Sequence, residues 1–198
     1  MKRILFICTG NTCRSPMAEA FLKGLAHEKG LIVAVRSAGT STVSGMPVSA
    51  NSLYALNRRG IQHKGSSSVL QEEALEWADL VLTMTSSHKR DVLQKYPNMM
   101  DKTYTLKEFA FMDEELQQKI TELESLYTDL QMKQILGQPI EEKQRQRLIA
   151  LDQAIPNFDI ADPFGGSQSH YDHCADELEE VIFKLVDKLL LLRNQQQK

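Results

Sequence analysis

Short apolar runs alternate with amphipathic stretches through the first half of the chain. Arg3 to Cys8 (RILFIC) is continuously apolar after its first residue, the pattern of a buried parallel strand. A polar segment, Thr9 to Thr12, follows. Ser15-Pro16 predicts a helix start, with Ser15 as cap and Pro16 in the first helical position. Met17, Ala20, Phe21 and Leu25 then recur on one face to about Lys29, and Gly30 ends the helix. Leu31 to Arg36 predicts a second strand, ending at Ser37-Ala38-Gly39. Ser49 to Arg59 predicts a helix stopped by Gly60, and Leu70 to Ala78 a short one. Asp79 to Met84 reads as a third strand, Ser86 to Lys95 as a helix stopped before Pro97, and Thr103 to Leu106 as a short fourth strand. This alternation predicts an α/β domain with a parallel sheet covered by helices on both faces.

The alternation stops at Met112. From there to Pro156 the chain is rich in Glu, Gln and Lys. Leu116, Ile120, Leu123, Tyr127 and Leu130 form a helical stripe. Gly137-Gln138-Pro139 breaks it, and Ile140, Leu148, Leu151 and Ile155 suggest a second helix. The segment 112–156 is expected to be a helical hairpin inserted into a single domain spanning 1–198, because its apolar stripe needs a partner. A Gly-Pro loop from Asp159 to Ser169 leads to a last helix, Tyr171 to about Leu192, with Leu178, Val181, Ile182, Leu185 and Leu189 on one face. The tail from Asn194 to Lys198 is expected to fray.

A chain of 198 residues suits one domain with an elaboration. Lys plus Arg is 23 against 26 Asp plus Glu, a net charge of −3, which argues against a broadly basic nucleic-acid binder. No run approaches the roughly 18 apolar residues of a membrane span, and Ile4 to Cys8 is too short for a secretory signal core. Three cysteines, two of them close together, suggest chemistry in a reducing compartment and not a disulfide scaffold. The expected location is therefore cytoplasmic. His27, His63, His88, His170 and His173 show no ligand spacing with the cysteines, and no dinucleotide motif occurs, so neither metal nor cofactor is expected.

The informative segment is Cys8-Thr9-Gly10-Asn11-Thr12-Cys13-Arg14-Ser15, between a buried strand and a helix start. A loop in that position turns backbone N–H groups inward, and the helix N-terminus adds free donors, which makes an anion nest. Cys8 sits at its floor, where the field that attracts phosphate also favours a thiolate. Arg14 supplies a planar fork suited to two phosphate oxygens. A nucleophile and a charge clamp are the two needs of phosphoryl transfer through a covalent intermediate.

The block CTGNTCRSPMAEA resembles the signature of the low-molecular-weight protein tyrosine phosphatase family. The resemblance continues through Ser37-Ala38-Gly39, Ala78-Asp79-Leu80-Val81 and Asp162-Pro163-Phe164, and spares only the segment 112–156. It implies a four-stranded parallel sheet flanked by helices. It implies Cys8 as the nucleophile forming a cysteinyl-phosphate, Arg14 as the phosphate clamp, and Ser15 as a hydrogen-bond partner of the Cys8 thiolate. Asn11, held by Ser37, would keep the loop in shape. Asp162 would be the general acid that protonates the leaving group and then activates water. Cys13 is either a small buried residue or the partner of Cys8 in a protective disulfide under oxidation. Cys174, four residues before Leu178, reads as core.

Within that family, the sequence CTGNTCRS and the Asp-Pro-Phe-Gly-Gly form of 162–166 resemble the bacterial protein-arginine phosphatases more closely than the tyrosine enzymes. Tyrosine phosphatases usually carry a bulky aliphatic residue where this chain has Thr12. A β-branched hydroxyl suits a long, polar phosphoarginine, whereas an aliphatic residue favours a flat phenyl ring. Phe164 would wall the substrate's stem. The expected partners are phosphorylated proteins, and the alternative activity is tyrosine dephosphorylation. Arsenate reductases share the fold, but they need a further pair of cysteines that this chain lacks. A silent phosphoprotein reader would have lost Cys8, Arg14 or Asp162.

There are two departures. A supporting histidine of the family falls here at Gly65, with His63 two residues earlier, so either His63 substitutes or the loop is buttressed differently. The segment 112–156 lies just ahead of Asp162, where it reads either as a lid or partner-docking surface or as a tolerated elaboration.

Overall fold

The computed structural model describes residues 1–195. The strands are β1 (Lys2–Cys8), β2 (Val33–Gly39), β3 (Leu80–Thr83) and β4 (Thr103–Thr105). The helices are α1 (Arg14–Glu28), α2 (Ala50–Asn57), α3 (Glu72–Trp77), α4 (Ser86–Lys95), α5 (Leu106–Phe111), α6 (Glu114–Ile135), α7 (Glu142–Ala154) and α8 (Gln168–Gln195). A 3-10 turn over Pro97–Lys102 precedes β4.

All strand pairs are parallel, in the order β2-β1-β3-β4. The apolar run of β1 is buried on both sides because it has a neighbour on each edge and helices on each face. Ile4, Phe6 and Cys8 join the core built by α1 and α8. Leu5 and Ile7 face the smaller core with Leu75 of α3 and Val92 of α4. The chain leaves β1 for β2 on one side and returns across β1 to β3 on the other. That reversal opens a crevice at the C-terminal ends of the strands, the usual ligand position in an open α/β sheet.

The four-stranded parallel sheet with helices on both faces agrees with the sequence reading, while several boundaries move. The strand predicted over Leu31–Arg36 occupies Val33–Gly39. The Leu31 N–H is used to close α1, donating to Ala26 O at 2.8 Å after a left-handed Gly30, so pairing starts later. It then runs to Gly39 because β1 extends to Cys8 in register with it. Ser15 is not a helix cap: α1 begins at Arg14, with Cys13 in the cap position and no side-chain cap bond. Helix α5 replaces the end of the predicted fourth strand. Thr105 and Glu108 cap it reciprocally, Thr105 Oγ1 accepting from Glu108 N at 3.1 Å and Glu108 Oε2 from Thr105 N at 2.9 Å. Helix α8 starts at Gln168 and continues through Asn194 and Gln195, two residues expected to fray; Gln196 to Lys198 lie outside the described residues.

The chain divides into two compact units, Met1–Phe111 with the chain from Phe158, and Met112–Asn157. In the second unit, Asp113 caps α6 by accepting from Leu116 N at 2.8 Å, and a left-handed Gly137 follows the helix end. Helices α6 and α7 pack against each other. Arg147 grips Glu122 with one guanidinium edge, Nε at 2.7 Å and Nη2 at 2.5 Å, and Lys133 Nζ donates to Gln144 Oε1 at 2.9 Å. This is the predicted helical hairpin.

Candidate active site

Cys8 ends β1 and Arg14 begins α1, so the five residues between them form a tight loop in the crevice. Pairing with the chain after β2 continues around it, with Thr40 N donating to Cys8 O and Ser41 N to Thr9 O, both at 3.0 Å. Gly39 permits this approach. A Cβ there would lie 2.6 Å from the Thr9 carbonyl oxygen.

The Cys8 Sγ receives the backbone N–H of Asn11 at 3.3 Å and lies 3.0 Å from Ser15 Oγ. Ser15 Oγ already accepts from Asn11 Nδ2 at 2.9 Å, so its own proton is directed at the sulfur. Two donors are thus aimed at Sγ. Asn11 is the sole non-glycine residue with positive φ among the described residues, at 52°. Its side chain holds it there. Nδ2 also donates to Ser37 Oγ at 2.9 Å, and Oδ1 accepts from Ser68 N at 2.7 Å. Ser37 in turn donates to Glu19 Oε2 at 2.6 Å. A polar chain thus runs from a carboxylate on α1 through Ser37, Asn11 and Ser15 to the thiol. Such a network keeps a strained loop in a single shape.

Arg14 is buried, and its Nη2 pairs with Asp162 Oδ2 at 2.8 Å. Asp162 is on the open side of that pair, with its side chain 54% exposed. The chain leading to it is tied to the sheet. Asp159 Oδ1 accepts from Ser86 N and Oγ at 2.7 and 2.9 Å. Ile160 N donates to Met84 O at 2.8 Å, and Ala161 N to Glu177 Oε2 at 3.1 Å. Glu177 is itself paired with Lys107.

Above the loop lies a cleft of about 250 Å³, lined by Cys8, Thr9, Gly10, Thr12, Cys13, Arg14, Ser41, Asp162 and Phe164. Phe164 stands at its mouth, 78% exposed. Every loop residue singled out in the sequence is therefore at this cleft or in the network beneath it. The structure adds residues that sequence reasoning passed over. Glu19 and Ser68 buttress Asn11, and His88 reaches Thr9. Two of them carried a local signal: Glu19 lies one helical turn past Ser15, and Thr85-Ser86-Ser87-His88 is a cap pattern. His63 does not take up the buttressing role, which falls to Ser37 and Ser68. Burial lowers the His63 imidazole from its ordinary range.

The family model of the low molecular weight phosphotyrosine protein phosphatases matches residues 3–155. The chain belongs to that family. It is 35% identical over 187 residues, 94% of this chain and 95% of the relative, to a protein-arginine-phosphatase of Geobacillus stearothermophilus. The solved structure of YwlE arginine phosphatase from that organism superposes with a TM-score of 0.72 at 34% identity, covering 98% of this chain and 97% of the other. A YwlE variant solved with a phosphorylated active-site serine gives 0.71 at 34%, covering 94% and 95%. A low molecular weight protein-tyrosine-phosphatase, PtpB of Staphylococcus epidermidis, is 32% identical over 109 residues, 54% of this chain and 73% of its own length.

As a member of this family the protein is a cysteine-dependent phosphatase. No described helix is long and apolar enough to cross a membrane. The other two thiols sit in different settings from Cys8. Cys13 contacts the Tyr171 hydroxyl at 3.5 Å, and burial together with that bond pushes the Tyr171 phenol up to about 12. Cys174 is buried against α1 and α8 neighbours, as its spacing predicted, and burial pushes it up to about 12.

Proposed function

We propose that this phosphatase removes phosphate from arginine residues of proteins. The observation that carries the reading is Thr12: a hydroxyl, not an aliphatic side chain, lines the cleft that holds Cys8, Arg14 and Asp162. Similarity across nearly the whole chain to arginine phosphatases supports it.

The chemistry follows from the geometry. The phosphoryl group binds in the loop, and the Arg14 fork turns from Asp162 to two phosphoryl oxygens. The Cys8 thiolate attacks phosphorus, and the bond to the guanidinium nitrogen breaks. Asp162, released from Arg14, takes up a proton from solvent and gives it to that nitrogen. The resulting carboxylate then takes a proton from water as the water attacks phosphorus. The sulfur–phosphorus bond breaks, and phosphate and the Cys8 thiolate are regenerated. One carboxylate alternating between acid and base is what a two-step displacement requires. Phe164 packs against the apolar stem of the substrate arginine.

Two further assignments belong to this reading. Oxidised Cys8, as a sulfenic acid, condenses with the Cys13 thiol and expels water, which protects the nucleophile; the shared loop supports this. The hairpin of α6 and α7 is a partner-docking surface, supported by the exposed Tyr127 and Ile149 on it. Three free thiols suit action in a reducing, cytoplasmic compartment.

The deciding experiment compares kcat/KM on a phosphoarginine and a phosphotyrosine peptide of the same sequence, with Cys8→Ser as blank. Preference for phosphoarginine is expected. Preference for phosphotyrosine would make the protein a tyrosine phosphatase despite Thr12.

A further inference from the structure

His88 is a buried histidine that the phosphoryl-transfer scheme above does not use. It occupies the third residue of α4, and its backbone N–H donates to the cap hydroxyl of Thr85 at 3.2 Å. That cap needs no imidazole. Yet the ring bridges two hydroxyls, with Nδ1 2.8 Å from Thr85 Oγ1 and Nε2 2.8 Å from Thr9 Oγ1. Thr9 follows the nucleophile directly and lines the cleft.

Thr85 Oγ1 already accepts from the His88 N–H, and its own proton has His88 Nδ1 within reach. Nδ1 then accepts, and a neutral ring carries its proton on Nε2. Burial and the Arg14 charge both disfavour a protonated ring here. The Nε2–H donates to Thr9 Oγ1, which leaves the Thr9 proton free to turn into the cleft.

We propose that His88 is a positioning residue that orients the Thr9 hydroxyl as an additional hydrogen-bond donor to a bound phosphoryl oxygen. This rests on the reading of the loop as the phosphoryl site. The polar chain from Glu19 sets the floor of the site at Cys8, whereas the chain from Thr85 through His88 sets its rim.

The test is the affinity for inorganic phosphate, measured as inhibition of turnover and by direct titration in the Cys8→Ser background. Thr9→Val removes the donor and should weaken phosphate binding about tenfold, the scale of one hydrogen bond to a charged oxygen. His88→Asn places an amide near the Nδ1 position but cannot reach Thr9, so it should weaken binding similarly. His88→Gln restores an N–H near the Nε2 position and should recover most of the loss. A purely structural role for the ring would not separate Asn from Gln in this way. The double variant His88→Asn/Thr9→Val should bind no worse than Thr9→Val alone. Equal binding by Thr9→Val and the parent overturns the proposal, as do multiplicative losses in the double variant. Thr9 is exposed, so its valine variant remains decisive if a His88 variant fails to fold. Failure of the parent to bind phosphate at all would instead overturn the reading of the loop itself.

Discussion

Arg14 and Asp162 neutralise each other across the cleft, so substrate must displace a carboxylate that is already bound. Removing Cys8, the proposed nucleophile, leaves that exchange intact. Cys8→Ser should therefore abolish turnover while titrations still show phosphate binding; appreciable turnover by the serine variant would refute the assignment. Thr12→Ile replaces the hydroxyl at the cleft with a bulky aliphatic group. It should shift the ratio of kcat/KM values from phosphoarginine toward phosphotyrosine, and an unchanged ratio would remove Thr12 from selectivity. Gly39 is a subtler constraint. Alanine there meets the Thr9 carbonyl at 2.6 Å, backbone that cannot move without moving the loop. Gly39→Ala should lower kcat by at least about tenfold, consistent with the sensitivity of catalysis to small misplacements, which side-by-side kinetics with the parent will show.

At the scale of elements, the sheet and most helices were legible because burial on both faces turns strands into continuous apolar runs, as in Arg3 to Cys8. What escaped was written in hydrogen bonds. Ser15 looked like a cap, yet its hydroxyl serves Cys8 and Asn11, and a sequence cannot show which of two local partners a serine takes. Helix α5 was missed although Thr105 and Glu108 carry the capping pattern, since six residues offer too little periodicity to outweigh an apolar strand signal. The buttress at Ser68 was illegible because its backbone N–H meets Asn11 from 57 residues away. A second glycine gives a stability test. Gly24 lies inside α1, and nothing comes within 4 Å of the place an alanine methyl would take. Gly24→Ala should raise stability by about 0.5–1 kcal/mol through the helix backbone alone, visible as a higher denaturation midpoint; a lower midpoint would show an unseen close neighbour.

At the scale of the whole molecule, acid is the predicted weakness. His63 and His88 are both held below the ordinary histidine value of 6.5. The unfolded chain therefore takes up protons first, so stability is full above about pH 6.5 and declines as pH falls below it. Asp79, held at about 2 chiefly by its hydrogen bonds to Arg3, adds a later loss as pH drops below its ordinary 3.8. Melting temperatures should fall between about pH 8 and pH 5; a flat profile would contradict the lowered values of His63 and His88.

The spacing of Arg14 and Asp162 has a consequence for the chain as it is made. Asp162, the proposed acid, lies 148 positions beyond Arg14, the proposed clamp. During synthesis the reactive thiol emerges long before the carboxylate that makes it productive. If the proposed roles hold, a chain cut short before Asp162 would form a cysteinyl-phosphate poorly and would lack the base to release it. On the proposed mechanism, the order of assembly makes the enzyme competent only once the loop of Asp162 has been added to the loop of Cys8.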